Sequence, residues 1–298
     1  MATHSAARAA RGRAKRQVSS PVRTTLLPSG AAVPVLGQGT WHMAEEPRRR
    51  DQEIAALRFG IDLALTLIDT AEMYADGGAE ELVGEAIAGR RREVFLVSKV
   101  LPSHATRRGT IAACERSLRR LATDRLDLYL LHWREKVPLE ETVEAFHSLS
   151  RSGKIRYWGV SNFDLSDMQE LVEVPGGDAV QTNQVLYNLT RRGIEYDLLP
   201  WCRQRALPIM AYSPIEQGRL LGHSTLQLIA DQHDATPAQI ALAWVLRQEG
   251  VIAIPRASKP EHVEENRAAL AIRLTQNDLE LLDRAFPPPT KPVPLEML

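Results

Sequence analysis

Eight short apolar runs, rich in branched and aromatic side chains, alternate with amphipathic stretches between residues 36 and 255. They are LGQGTW (36–41), LTLIDT (65–70), VFLVSK (94–99), LDLYLLH (126–132), YWGVSN (157–162), AVQTNQ (179–184), PIMAYS (208–213) and VIAIP (251–255). Successive runs begin roughly 22 to 43 residues apart, room for a helix and its loops between one parallel strand and the next. Their near-continuous apolar character is what strands buried on both faces require. Eight βα units in 298 residues, with no composition break or linker, argue for one α/β domain, a (β/α)8 barrel, over a doubly wound sheet.

Helix ends are readable between the runs. ETVEAFHSLSRSGK puts Val143, Phe146 and Leu149 on one face and stops at Gly153, a left-handed cap. DATPAQIALAWVLRQEG opens with Thr236 as N-cap and Pro237 at the first helical position, and runs to Gly250. In LTQNDLELLDRAF, Thr275 and Asp278 have capping-box spacing, and a Pro-rich tail follows. Ahead of the first unit, VRTTLLPSGAAVPVL reads as a hairpin around Pro-Ser-Gly, placed to close the barrel's bottom. The barrel domain is expected over 22–298. Residues 1–21 are rich in Ala, Arg and Ser without an acid; they read as a disordered extension, with an organelle transit peptide as the alternative.

Composition excludes several function classes. The formal net charge is zero, which makes no electrostatic case for nucleic acid or a membrane surface, and no apolar run approaches the roughly 18 residues a spanning helix needs. The two cysteines, Cys114 and Cys202, are far apart and in no ligand cluster, so neither a disulfide framework nor a metal site is indicated and a cytoplasmic location fits. Cys114 falls at helical spacing with Ile111, Leu118 and Leu121, the position of a buried core thiol.

Barrel enzymes carry their chemistry at the C-terminal ends of the strands. Those ends hold Trp41, Asp69 with Tyr74, Lys99, His132 with Trp133, Ser161 with Asn162, Gln184, Tyr212 with Ser213, and Arg256. Singly, each has an ordinary structural explanation: a rim ion pair, a core histidine, a surface phenol. Together they suggest more. Asp69 and Lys99 sit on neighbouring strands and can pair, and a lysine beside Tyr74 is expected to lower the phenol's pKa from its usual value of about 10. His132 as a neutral imidazole could orient a carbonyl oxygen toward that hydroxyl. This is equipment for protonating a developing alkoxide; with no nucleophile, metal-ligand set or glycosidase-type carboxylate pair, the electrons have to come from a cofactor. GQGTWH has His42 where a dinucleotide fingerprint needs its third glycine, so a Rossmann domain is not supported. IPRASKPEH instead places Arg256, Ser258 and Lys259 just before a helix with Pro260 in its first turn, a candidate anion site.

GTWHMAEE, LIDTAEMYADGGAEELVGEAI, VFLVSKV, DLYLLHW, GKIRYWGVSNF, TNQVLYNL, AYSP and IPRASKPEHVEEN, in this order and spacing, resemble the aldo-keto reductase family, especially bacterial members of the methylglyoxal reductase and diketogluconate reductase type. The resemblance runs from about residue 22 to 286. It implies a (β/α)8 barrel that binds NADPH across the strand ends, with Asp69, Tyr74, Lys99 and His132 as the catalytic tetrad. It further implies that Ser161, Asn162 and Gln184 hold the carboxamide and that Tyr212 stacks on the nicotinamide. Gly39, Thr40 and Trp41 would flank the cofactor, and Ser213, Pro214 and Ile215 would follow its pyrophosphate. Arg256, Ser258, Lys259, Glu265 and Asn266 would surround the adenosine end. His262 stands where the family often has arginine.

The function implied is NADPH-dependent reduction of small aldehydes and 2-oxoaldehydes such as methylglyoxal, with activated ketones or keto-sugars as further substrates. The alternative is a cofactor-binding regulatory or structural member of the same fold with negligible turnover. The expected partner is a small carbonyl compound, bound by a monomer against Trp41, His132 and Trp133. The segment after His132 and the tail after Phe286 look too short to wall a pocket, which predicts an open, undemanding site.

Overall fold

Residues 22–298 are described by the computed structural model; the basic segment 1–21 lies outside the described residues. The chain enters through the expected antiparallel hairpin, β1 (Thr24–Leu26) and β2 (Ala32–Pro34). Gly30 turns it with a φ of 82°, a conformation open to glycine without cost.

Eight parallel strands then follow in sequential order: β3 (Gln38–Gly39), β4 (Leu67–Asp69), β5 (Phe95–Val100), β6 (Leu126–Leu131), β7 (Ile155–Ser161), β8 (Asn183–Leu186), β9 (Ile209–Tyr212) and β10 (Val251–Ala253). The last meets the first. Ala253 N–H donates to the Val35 carbonyl at 2.8 Å, Gly37 N–H to that of Ala253 at 2.9 Å and Gly39 N–H to that of Pro255 at 3.1 Å. A Cβ on Gly39 would lie 2.7 Å from the Ile254 carbonyl oxygen, so this seam closes only around glycine.

The helices on the outer face are α1 (Arg50–Asp62), α2 (Gly78–Ala86), α3 (Arg107–Arg120), α4 (Leu139–Arg151), α5 (Leu165–Glu173), α6 (Leu198–Gln204), α7 (Ser224–Gln232), α8 (Pro237–Leu246), α9 (Pro260–Ala268) and α10 (Gln276–Ala285). Their ends follow the capping chemistry read from the sequence. Thr236 is the N-cap of α8, with Gln239 adding a reciprocal capping box not anticipated from the sequence; Thr275 with Asp278 forms the expected one, and Gly153 adopts a φ of 75° after α4. The helix begun at Thr236 stops at Leu246, short of Gly250. The sixth barrel strand also starts later than the run 179–184 implied: Gly177–Ala179 is a 3-10 turn, and pairing begins at Asn183. Among the described residues, no helix is long and apolar enough to cross a membrane.

Strand periodicity sorts the apolar residues into two cores. Leu67, Val97, Leu128, Leu130, Met210 and Ile252 fill the barrel, with Leu27 and Val33 of the hairpin packed into the same cluster. Ile68, Leu96, Tyr129 and Leu131 pack outward against helices, together with Phe146 and Trp158. Side chains alternate faces along a strand, so Asp69, Lys99, His132 and Tyr212 continue the inward series begun by Leu67, Val97, Leu130 and Met210. Polar groups thereby cap an apolar barrel interior at its C-terminal end.

Candidate active site

The ladder hydrogen bonds run past the strands and fix the loops that bear the site. Thr70 N–H donates to the Val97 carbonyl at 3.0 Å, Glu72 N–H to that of Lys99 at 3.4 Å, and His132 N–H to that of Val100 at 3.0 Å. Glu72, buried in the LIDTAEMY segment, accepts from Leu101 N–H at 2.8 Å and pairs with His104 at 2.9 Å, tying the Tyr74 loop to the exit of β5. In this way sequence neighbours of Asp69 are brought over Lys99.

Lys99 is wholly buried. Its ammonium donates to Asp69 Oδ2 at 2.7 Å, to the Thr70 carbonyl at 2.9 Å and to the Tyr74 hydroxyl at 3.1 Å. Gln184 Nε2 donates to the other Asp69 oxygen at 2.8 Å. Burial alone would depress the lysine's pKa, but the Asp69 carboxylate and the Tyr74 phenol outweigh it, so Lys99 is held above the usual lysine range and stays charged. The Tyr74 phenol goes the opposite way from the sequence-based expectation. Burial raises its pKa and Asp69 adds to the rise, while Lys99 pulls it down by less than their sum. Tyr74 is therefore a protonated phenol through neutrality: it accepts from Lys99 and has its own hydrogen to give.

His132 sits edge-on to Tyr74, with ring centroids 5.8 Å apart. Burial, with the Lys99 charge behind it, holds its pKa well below the usual histidine range, so the ring is neutral as anticipated. Its Nδ1 is buried with no hydrogen-bond partner among the described residues. Beside it, Asn162 adopts a left-handed backbone (φ 59°). Asn162 Nδ2 donates to the His132 carbonyl at 3.1 Å and to Ser161 Oγ at 3.2 Å, and its Oδ1 accepts from the Tyr212 hydroxyl at 2.9 Å. Ser161 Oγ donates to the Gln184 carbonyl at 2.9 Å.

These groups open on a cleft of about 740 Å3 across the strand ends. Its walls include Gly39, Thr40, Trp41, Asp69, Tyr74, His132, Trp133, Ser161, Asn162, Gln184, Tyr212, Ser213, Pro214, Ile215, Arg256, Glu265 and Asn266. Ser258 and Lys259 are not among the wall residues; Lys259 is the exposed N-cap of α9, and of the three residues grouped as an anion site only Arg256 reaches the cleft. The Arg256 guanidinium donates to the His42 carbonyl at 3.1 Å. His262 also lines this end and pairs with Glu265 at 3.1 Å.

Several wall residues had no signal in the sequence. Gln217 and Gly218 extend the Ser213–Ile215 segment, and Met73 adjoins Tyr74, so proximity to an expected site residue could have found them. Met297 and Leu298 are different. They lie in a tail without periodicity, and they correct the expectation that this tail is too short to wall the pocket.

The Aldo/keto reductase family profile matches residues 35–286. Methylglyoxal reductase YeaE of Escherichia coli strain K12 is 55% identical over 272 residues, covering 90% of this chain and 96% of that protein. Glyoxal reductase of Bacillus subtilis strain 168 is 35% identical over 266 residues, covering 87% and 91% of the two chains. Among solved structures, an aldo/keto reductase from Klebsiella pneumoniae in complex with NADP and acetate superposes with a TM-score of 0.91 at 55% identity, covering 94% of this chain and 100% of that one.

Proposed function

The chain belongs to the aldo/keto reductase family, and from that premise we propose that it is an NADPH-dependent reductase of small aldehydes and 2-oxoaldehydes, methylglyoxal among them. The observation that carries this reading is the buried Lys99 ammonium, held by Asp69 and touching the hydroxyl of a protonated Tyr74 beside a neutral His132. The names and identities of the Escherichia coli and Bacillus subtilis relatives support the 2-oxoaldehyde class.

The cleft's chemistry fits a reduced dinucleotide. Tyr212 offers a half-buried ring, Asn162 Oδ1 keeps a lone pair beyond the one used by Tyr212, and Gln184 Oε1 is an acceptor on a side chain already oriented by Asp69. Pro214, Gly218 and Ala238 leave room on one wall, and Arg256 supplies a cation toward the far end with Glu265 and Asn266 beside it. Ser161, Asn162 and Gln184 would hold the carboxamide and Tyr212 the ring; Gly39, Thr40, Trp41, Ser213, Pro214 and Ile215 would flank the cofactor, with Ser258 and Lys259 behind Arg256. When bound, NADPH supplies the hydride.

The chain's own groups manage the oxygen. His132, neutral and on the cleft wall edge-on to Tyr74, is a donor-acceptor ring able to orient a carbonyl against it. Tyr74 gives the proton as negative charge grows on that oxygen, and Lys99 stabilises the phenolate left behind, itself balanced by Asp69. Trp41, Trp133, Met73, Met297 and Leu298 form the surfaces a small apolar substituent would meet. A monomer in the cytoplasm completes the reading, and the two buried free thiols accord with that location.

The test is NADPH consumption against a panel of methylglyoxal, glyoxal and simple aldehydes. Turnover with a preference for 2-oxoaldehydes is expected. Tight NADPH binding without turnover of any carbonyl would make the chain a regulatory or structural member instead.

A further inference from the structure

The tail that walls the cleft is docked along the loop after β8. Arg192 donates to the Phe286 carbonyl at 2.6 Å where the tail leaves α10, and Arg191 pairs with Glu296 where it arrives at the cleft. Between these anchors Val293 rides over Gly193, at which a Cβ would lie 2.6 Å from the valine methyl. Glu296 immediately precedes Met297 and Leu298.

Arg191 has a second carboxylate. Its Nε and Nη2 reach Glu216 Oε1 at 3.3 Å and 3.2 Å, and Glu216 is buried, with Asn188 at 2.8 Å and Arg219 at 3.0 Å completing its shell. Glu216 belongs to another segment of the wall, the loop 213–218. Ser213, Glu216 and Gln217 all have left-handed backbones, at φ of 46°, 48° and 55°, and such strain persists only where surrounding contacts impose it. Ser213, Pro214, Ile215, Gln217 and Gly218 face the cleft, while the Glu216 side chain turns away from it into the Arg191 cluster.

We propose that Arg191 is a positioning residue that couples two segments of the wall: one guanidinium ties the cofactor-side loop 213–218, through Glu216, to the substrate-side tail, through Glu296. This rests on the proposed function, with NADPH along the loop and the carbonyl substrate beside Met297 and Leu298. The planar fork of arginine suits such a bridge because separate N–H groups serve separate carboxylates. The Glu296 arm sets how closely the tail approaches a substrate substituent, and the Glu216 arm holds the loop.

The experiment compares methylglyoxal with phenylglyoxal, which share the reacting group and differ in whether a ring can reach the tail. Glu296→Gln cuts only the tail arm. It is expected to raise KM for phenylglyoxal by about twofold to fivefold, the size of a partly exposed ion pair, while KM for methylglyoxal, both kcat values and NADPH affinity by fluorescence stay as in the wild type. Arg191→Gln cuts both arms and should weaken NADPH as well as phenylglyoxal, and the double variant should match it because the tail arm is already lost. A merely structural contact would move both substrates alike. Wild-type protein that reduces both compounds, with a KM ratio that Glu296→Gln leaves unmoved or with NADPH affinity untouched by Arg191→Gln, overturns the coupling alone. Wild-type protein that reduces neither overturns the proposed function and the coupling with it.

Discussion

Tyr74→Phe removes one oxygen from the cleft wall and nothing from the barrel interior. Lys99 would lose its 3.1 Å contact to the phenol but keep Asp69 at 2.7 Å and the Thr70 carbonyl at 2.9 Å, so the buried charge remains paired. The stability cost should then be that of one charge-assisted hydrogen bond, about 1.5 to 3 kcal/mol at most, and the variant should fold and bind NADPH. Turnover is another matter. A positioned acid contributes about 10² to 10⁴ in rate, or roughly 2.7 to 5.5 kcal/mol of barrier, and the variant should lose at least that with every aldehyde. The assay is steady-state NADPH oxidation across a pH series, with fluorescence titration of NADPH as the binding control. Because burial holds Tyr74 above the usual tyrosine range, the wild-type rate of reduction should show no loss of acid through neutrality and should decline only once pH climbs past the ordinary tyrosine pKa of about 10. Lys99→Met acts through the same phenol, so adding it to Tyr74→Phe should cost little more in rate. A Tyr74→Phe enzyme that keeps most of its activity and an unchanged pH profile would refute the reasoning and move the proton source to His132 or water.

Three further outcomes follow from the geometry. His132 is held neutral, its folded pKa far below its unfolded value near 6.5, so the unfolded chain binds the extra proton; stability should fall as pH drops below about 6.5, and thermal melts of His132→Asn should show a shallower fall. Gln184→Leu leaves Asp69 Oδ1 buried without its donor at 2.8 Å, which should cost about 1 to 3 kcal/mol in denaturant unfolding and slow turnover, whereas an unchanged midpoint would mean that water replaces the amide. Arg256→Ala should weaken NADPH roughly tenfold to a hundredfold and NADH far less, because only NADPH carries the 2′-phosphate; equal effects in binding titrations would place that phosphate elsewhere.

Much of this protein is local in origin and so was legible in the sequence. Strand runs, helix caps and the hairpin turn depend on residues within a few positions of one another, and Thr236 at the start of α8 or Gly153 after α4 appear in the structure where their chemistry demands. The placement of Asp69, His132 and Tyr212 around one cleft, with Lys99 buried behind Asp69, follows from the same rule, since a period of two and a common strand direction send the last inward residue of each strand to one end. Tertiary structure decided what depends on sums over distant groups or on aperiodic chain. The sign of the Tyr74 shift is such a sum: a lysine beside a phenol predicts a lower pKa, but burial by the assembled barrel and the charge of Asp69 outweigh it. Arg256 is among the cleft wall residues and the exposed Lys259 is not, and a basic cluster in sequence carries no information about which side chain a turn will place on a wall. The tail reaches the cleft because Arg191, Arg192 and Gly193 dock it, a pairing across some hundred residues for which a Pro-rich segment offers no pattern.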